Sequence, residues 1–329
     1  MRILFAIQGT GNGHISRARE IIPLLQQYGH LDILISGYQA DILPDQPLSY
    51  RFHGFSFIFG KKGGVDHWLT YRQMNLRRLW RDIRSLPLKK YDLIVNDFEP
   101  VTAWACKLQG RPSVALSHQA SFLSEKVPRP RKKSLYTEWI FKYYAPATEK
   151  IGFHFQPYDD FIHTPVIRSE IRNLESRNLG HVTVYLPAYH DKILISYFHK
   201  IPEVKWEVFS KHTRIPYTDK NVSVQPITNS AYNQSLAGCL GLLTGGGFEG
   251  PAEALFLGKK VLILPMHYQY EQQCNAEAAR RMGVPVIYHL NNDFTAALKK
   301  WIYEPNGLNI TFPDNTASIV ADMVGRFAH

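Results

Sequence analysis

Residues 243–275, LTGGGFEGPAEALFLGKKVLILPMHYQYEQQCN, constrain the fold more than any other stretch of the chain. A short apolar strand, Leu240 to Thr244, runs into Gly245, Gly246 and Gly247; a helix opens near Phe248, and a second apolar strand spans Val261 to Pro265. Two short apolar strands separated by a helix read as neighbours in a parallel sheet. The glycines let backbone N–H groups approach an anion closely, and a helix N-terminus favours negative charge. That attraction is on the order of 1 kcal/mol per charge at an exposed site. Glu253 lies one turn into the helix, and Glu271, Gln272 and Asn275 follow the next strand. A phosphate cradle beside carboxylates and amides suited to hydroxyl groups points to a sugar nucleotide.

The same alternation runs through the chain. Strands are expected at Ile3–Ile7, Asp32–Ser36, Leu93–Asn96 and Ser113–Leu116, with helices at Ser16–Tyr28, Trp68–Ser85 and Thr102–Leu108. A second series has strands at Val182–Leu186, Lys205–Phe209 and Val222–Pro226, then the pair around the glycine run. This predicts an α/β chain with parallel sheets covered by helices on both faces, and ligands beyond the carboxyl ends of the strands. The 329 residues suffice for two Rossmann-like units facing each other across a cleft. Their junction is expected within residues 156–180, where Gln156-Pro157 and Thr164-Pro165 interrupt the pattern.

No window approaches the ~20 apolar residues needed to span a bilayer, and MRILFAI runs directly into a glycine turn, as a first strand rather than a signal peptide. Cys106, Cys239 and Cys274 lack metal-ligand spacing and fit a reduced, cytoplasmic protein. The net charge of +10 is uneven: residues 1–164 hold 22 basic and 14 acidic residues, the remainder 16 and 14. The excess gathers at Arg72, Arg77, Arg78, Arg81 and Arg84, and at Lys126, Arg129, Arg131, Lys132 and Lys133. One reading is a solvated basic face. The other is an anionic partner, either an acidic acceptor or an anionic membrane surface; Trp68, Leu69, Leu76, Leu79 and Trp80 interleave with the arginines and favour the membrane. No nucleic-acid-binding motif accompanies the charge.

The N-terminal loop Gly9-Thr10-Gly11-Asn12-Gly13-His14 fails as a dinucleotide fingerprint, because His14 stands where the third glycine belongs. The acidic residue expected at the end of the second strand is also missing, which disfavours a hydride-transferring dehydrogenase. The loop places His14 at the mouth of the first helix, where a near-neutral imidazole can act as general base toward a hydroxyl. Asp97 and Glu99 follow the strand in YDLIVNDFEP. Asp97 either orients His14 or caps the next helix; both readings stand. His118 and Gln119 occupy the equivalent place one strand along and are candidates for acceptor contact.

Taken together, G-x-G-H-x-x-R-A (Gly11 to Ala18), Asp97, Ser117-His118-Gln119 and GGGFEGPAEALFLGKKVLILP with EQQCNA resemble the GT-B glycosyltransferases. The nearest group is that of the N-acetylglucosaminyltransferase that completes the lipid-linked peptidoglycan precursor. The resemblance implies an acceptor-binding domain at 1–160, a nucleotide-sugar-binding domain at 161–312, and a final segment, 313–329, whose helix (Ala317–Phe327) packs back on the first. It implies that Gly245, Gly246 and Gly247, with the N–H groups after them at Phe248 and Glu249, receive the donor diphosphate, that the Glu249 side chain turns out or bonds a sugar or acceptor hydroxyl, and that Glu253 takes the ribose hydroxyls. Glu271 and Gln272 would bond the sugar with Asn275 supporting that turn, and the base would pack near Ile227. His14 would be the base and Asp97 its orienting partner, with Gly11, Gly13, Glu99, His118 and Gln119 on the acceptor side. Two departures stand out: Gly250 replaces a phosphate-binding Ser or Thr, and Leu186-Pro187-Ala188-Tyr189 lacks a glycine.

The expectation is a glycosyltransferase that moves a hexosyl group from a UDP-sugar to a carbohydrate, lipid-linked or other hydroxyl acceptor. It would act with inversion and without metal or cofactor, at the inner face of the membrane or free in the cytoplasm. The alternatives are a sugar-nucleotide epimerase of the same fold and a catalytically silent nucleotide-sugar-binding protein.

Overall fold

A computed structural model describes residues 1–10, 12–37, 47–54, 75–304, 308 and 310–328. Gly11, Trp68, Leu69 and Arg72 lie outside them. The first sheet contains β1 (Arg2–Gln8), β2 (His30–Ser36), β3 (Tyr50–Phe52), β4 (Leu93–Asp97), β5 (Val114–Ser117), β6 (Glu149–Phe153) and β7 (Ile162–His163), in the order β3-β2-β1-β4-β5-β6-β7. All its pairings are parallel. The second contains β8 (His181–Tyr185), β9 (Lys205–Ser210), β10 (Tyr217–Asp219), β11 (Val222–Pro226), β12 (Gly241–Thr244) and β13 (Lys260–Ile263), in the order β10-β11-β9-β8-β12-β13. Only the edge strand β10 is antiparallel. In both sheets the strand order reverses beside the first strand of the unit, between β1 and β4 and between β8 and β12. Those are the switch points where open α/β sheets hold ligands.

β1 reads RILFAIQ and is buried from Ile3 to Gln8, the continuous apolar run of a strand covered on both faces. One core joins Ile3, Phe5, Ile7, Ile15, Ile21 and Leu25 to Leu242, Ala252, Ile263 and the last helix, so the two units share apolar contacts. That last helix, Thr316–Phe327, packs against the first helix, Asn12–Gln26. The first sheet extends beyond residue 160, because Ile162–His163 pairs with β6. A two-residue edge strand is too short to leave a periodic signal. Among the described residues no helix is long and apolar enough to cross a membrane. The three cysteines are buried and unpaired.

Asp32 ties the first unit together beneath the sheet, accepting bonds from Tyr91 Oη (2.7 Å), Ser49 Oγ (2.8 Å) and Lys90 Nζ (3.1 Å). Burial alone would raise its carboxyl, but these bonds outweigh burial and hold it at about 2. A carboxylate favoured in the folded state stabilises above its unfolded value and loses that contribution as the pH falls through its folded one. Wild-type stability is therefore expected to drop by about 1–2 kcal/mol between about pH 4 and pH 2 on this account. Urea titrations across that range should show the drop diminished in Asp32→Asn.

Candidate active site

His14 lies in the first turn of the helix Asn12–Gln26, directly after the turn that leaves β1. That turn is tight: Gly9 N–H donates to Ser36 O at 2.6 Å, and a Cβ at Gly9 would come within 2.9 Å of Ile35. Asp97 is the last residue of β4 and fully buried. Its neighbour Phe98 adopts a left-handed backbone (φ 55°), an uncommon state for a bulky residue that turns the chain sharply off the strand. The two ends meet: His14 Nδ1 is 2.8 Å from Asp97 Oδ1. The carboxylate can only accept, so Nδ1 carries the proton, and among the described residues no protein atom is bonded to Nε2.

It is Glu99, not Asp97, that caps the following helix, Pro100–Gln109. Its carboxylate accepts from Val101 N and Thr102 N, both at 2.7 Å, and from Ser36 Oγ at 2.6 Å. Burial pushes its carboxyl upward against those bonds. Glu99, expected on the acceptor side, is thus a fully buried helix cap with both oxygens engaged.

Sequence reasoning assigned no role to Arg17, one helical turn beyond His14. Its buried guanidinium reaches Asp97 through Nη2 (2.7 and 2.9 Å) and Nε (3.2 Å), and Glu249 Oε1 of the second unit through Nη1 (2.6 Å). Burial alone would lower Arg17; Asp97 and Glu249 outweigh it and raise it. Burial alone would likewise raise Asp97; Arg17 and His14 hold it below the ordinary carboxylate value. The signal that was available is the spacing, since residues i and i+3 share one helix face.

On the opposite side, β12 runs into Gly245, Gly246 and Gly247 and then the helix Glu249–Phe256, whose N-terminus no side chain caps. Gly246 is required by packing: a Cβ there would come within 2.4 Å of Gln272 O. Gly247 is exposed with open space beside it, and Ile227 is half-buried just after β11. Glu249 turns toward the first unit, close enough to Gly13 that a Cβ there would meet its Oε2 at 2.5 Å. It is paired there with Arg17, and so is turned away from a diphosphate as expected.

Glu253, the expected partner of ribose hydroxyls, is already paired in the structure. Arg168, from the segment joining the units, grips it with Nε to Oε1 (2.6 Å) and Nη2 to Oε2 (2.9 Å). The remaining N–H groups go to Asn229 (2.8 Å), Asn233 (3.1 Å) and Glu170 (3.3 Å), so all five guanidinium donors are engaged. Nothing periodic marked Arg168 in the sequence. Gln272 Oε1 accepts from Gly246 N (3.1 Å) and Met266 N (3.0 Å), pinning the glycine loop instead of presenting that oxygen to a sugar. Asn275 donates to Gly246 O at 3.0 Å and places Oδ1 2.9 Å from His118 Nε2.

Further contacts close the seam. His118 stacks on Phe248 with ring centres 3.9 Å apart, Gln119 donates to Glu271 (3.2 Å), and Tyr270 Oη donates to Glu138 (2.6 Å). Burial pushes His118 below its ordinary value, against the nearby Glu271 and Glu249. The structure therefore brings Gly13, Arg17, His118 and Gln119 of one unit against Phe248, Glu249, Glu271 and Asn275 of the other, with His14 and Asp97 joined to Arg17. Among the described residues no three His, Cys, Asp or Glu side chains gather in a metal-binding group.

The family described as glycosyl transferase family 1 matches residues 1–304. Solved structures match over almost the whole chain. The calicheamicin glycosyltransferase CalG4 is 16% identical over 100% of this chain and 99% of its own, with a TM-score of 0.65. Acinetobacter baumannii MurG is 15% identical over 99% of each chain, with a TM-score of 0.61. Phytolacca americana UGT2, solved with UDP-2-fluoro-glucose and pterostilbene, is 14% identical over 99% of this chain and 94% of its own, with a TM-score of 0.62. The shared fold is GT-B. Comparison with curated proteins returns no match.

Proposed function

The chain belongs to glycosyl transferase family 1, and from that membership we propose that it moves a hexosyl group from a UDP-sugar to a hydroxyl acceptor with inversion. The observation that carries this reading is the His14–Asp97 pair at the end of β1 and β4, set against the uncapped helix after the glycine run. The acceptor hydroxyl gives its proton to His14 Nε2 as its oxygen attacks the anomeric carbon. The bond from that carbon to the phosphate oxygen breaks, and UDP leaves with the electron pair. Asp97 keeps Nδ1 protonated and holds the ring in the orientation that presents Nε2. The leaving diphosphate meets the N–H groups of the glycine run and the helix N-terminus. Attack from the face opposite the leaving group inverts the anomeric centre. UDP-sugar as donor is supported by the UDP-2-fluoro-glucose bound to the plant relative in fold.

A thermal-shift screen of UDP-, dTDP- and GDP-sugars with NAD as control tests the donor. A UDP-sugar at a hundred times its Kd is expected to stabilise by about 2.7 kcal/mol; stabilisation by NAD alone sinks the reading. Turnover is expected to be unchanged by EDTA.

The helix Leu76–Ser85 exposes Leu76, Trp80, Arg77, Arg81 and Arg84, with the Arg84 guanidinium 4.7 Å from the centre of the Trp80 ring. Aromatic and basic side chains on one surface suit an anionic bilayer. The protein is expected to co-sediment with phosphatidylserine-containing vesicles and to be released by salt; equal binding to neutral vesicles contradicts the electrostatic part.

A further inference from the structure

Arg17 touches both halves of the site, and its geometry beside His14 is one-sided. Its Nη2 lies 3.2 Å from His14 Nδ1, yet a guanidinium has no acceptor and Nδ1 already donates to Asp97. The contact is therefore a positive charge held against the ring, not a bond to it. Without Arg17, the ring would face the Asp97 carboxylate uncompensated, an arrangement that stabilises imidazolium. A protonated ring cannot accept the acceptor's proton.

Resting on His14 as the base, we propose that Arg17 is a positioning residue that cancels the Asp97 charge beside His14 and keeps the imidazole ready to accept a proton, with Glu249 holding the guanidinium from the opposite unit. The charged groups around this centre come from every element packed on it. They are Asp97 at the end of β4, Glu249 on the helix after the glycine run, and Glu271 on the helix Tyr270–Arg281. His118 follows β5, and Arg17 and Glu271 both act on it. Arg17 is the one buried cation that contacts both Asp97 and Glu249 among the described residues. It accounts for Glu249 at a place where a carboxylate would otherwise oppose an anionic ligand, and for Gly13, which leaves that carboxylate room.

The test reads His14 directly and needs no substrate. Histidine Cε1–H NMR titration of the full chain, with the His14 signal identified by its loss in His14→Ala, gives the midpoint of ring protonation. Arg17→Gln is expected to raise the proton affinity of His14 about tenfold or more, moving the midpoint up by about one pH unit. Arg17→Lys, which keeps the charge, is expected to stay within about threefold of wild type. Mere loosening of the site would move Arg17→Lys as far as Arg17→Gln, and that result overturns the proposal, as does a wild-type midpoint in Arg17→Gln. Should Arg17→Gln fail to fold, Arg17→Met takes its place and is read against Arg17→Lys in the same way. Normal turnover by His14→Ala would remove the base itself. A wild-type midpoint in Arg17→Gln removes only the role of Arg17.

Discussion

His14→Ala is expected to lower sugar transfer by about 10²- to 10⁴-fold, the usual contribution of a positioned general base, while nucleotide-sugar affinity stays within about threefold of wild type. The asymmetry follows from where the residue sits. His14 belongs to the first unit and, among the described residues, bonds only to groups of that unit, whereas the glycine run, Glu253 and Gln272 belong to the second. Single-turnover rates and calorimetric binding, measured on the same preparation with a UDP-sugar identified by the screen, separate the two quantities. Unaltered turnover would take His14 out of the chemistry. Asp97→Asn is expected to be nearly as damaging for a different reason: the amide can donate to Nδ1 and so permits the wrong tautomer. It also leaves Arg17 with Glu249 as its remaining carboxylate partner among the described residues, so its thermal stability should fall further than that of His14→Ala.

The second large effect is on stability. Arg168→Ala is expected to cost about 3–5 kcal/mol, because it strands the Glu253 carboxylate in a buried site with its bidentate partner gone. Replacing both members, as in Arg168→Met with Glu253→Leu, should recover much of that loss, since neither charge is then left unpaired. Urea denaturation of the two single variants and the double variant forms a cycle whose coupling term measures the pair. A single-variant loss below about 1 kcal/mol would show that water reaches Glu253 and that the pair is a surface contact in energetic terms. The same cycle bears on the proposed donor site. Each Glu253 oxygen retains a lone pair beyond the one Arg168 uses, so ribose hydroxyls can bond to the carboxylate only while the guanidinium stays in place.

The sheets were legible because their strands are continuous apolar runs with turn residues at their ends. Val222–Pro226 falls where the pattern put it, and β4 extends one residue further, to Asp97, than the apolar residues alone indicated. That one residue matters: it makes Asp97 a strand-end side chain aimed at His14 and passes the capping role to Glu99. The short strands Tyr50–Phe52 and Tyr217–Asp219 escaped notice because three residues are too few for a period to emerge. The first helix begins at Asn12 rather than Ser16, because a glycine-rich first turn carries no apolar periodicity even where the backbone is helical. At the site, groups near each other in sequence or at strand ends were readable, and groups defined by charge pairing were not. Arg168 looks like any other arginine, and Arg17 carries only its spacing from His14, until their partners, Glu253 and Glu249, are brought across from a distant part of the chain. Gln272 illustrates the converse: its sequence position fits a ligand contact, while its amide oxygen serves two backbone N–H groups of its own unit.

The seam between the units also governs how interchangeable they are. Arg17 and Glu249 are 232 positions apart in sequence, His118 and Asn275 are 157 apart, and Glu138 and Tyr270 are 132 apart. Grafting the second unit of another GT-B protein onto this first unit would keep each sheet intact and break those pairs together. A successful chimera would therefore have to inherit matched residues from both parents, with Arg17 and its carboxylate exchanged as a set. Modularity in this chain is limited by a few side chains at the join rather than by the folds on either side of it.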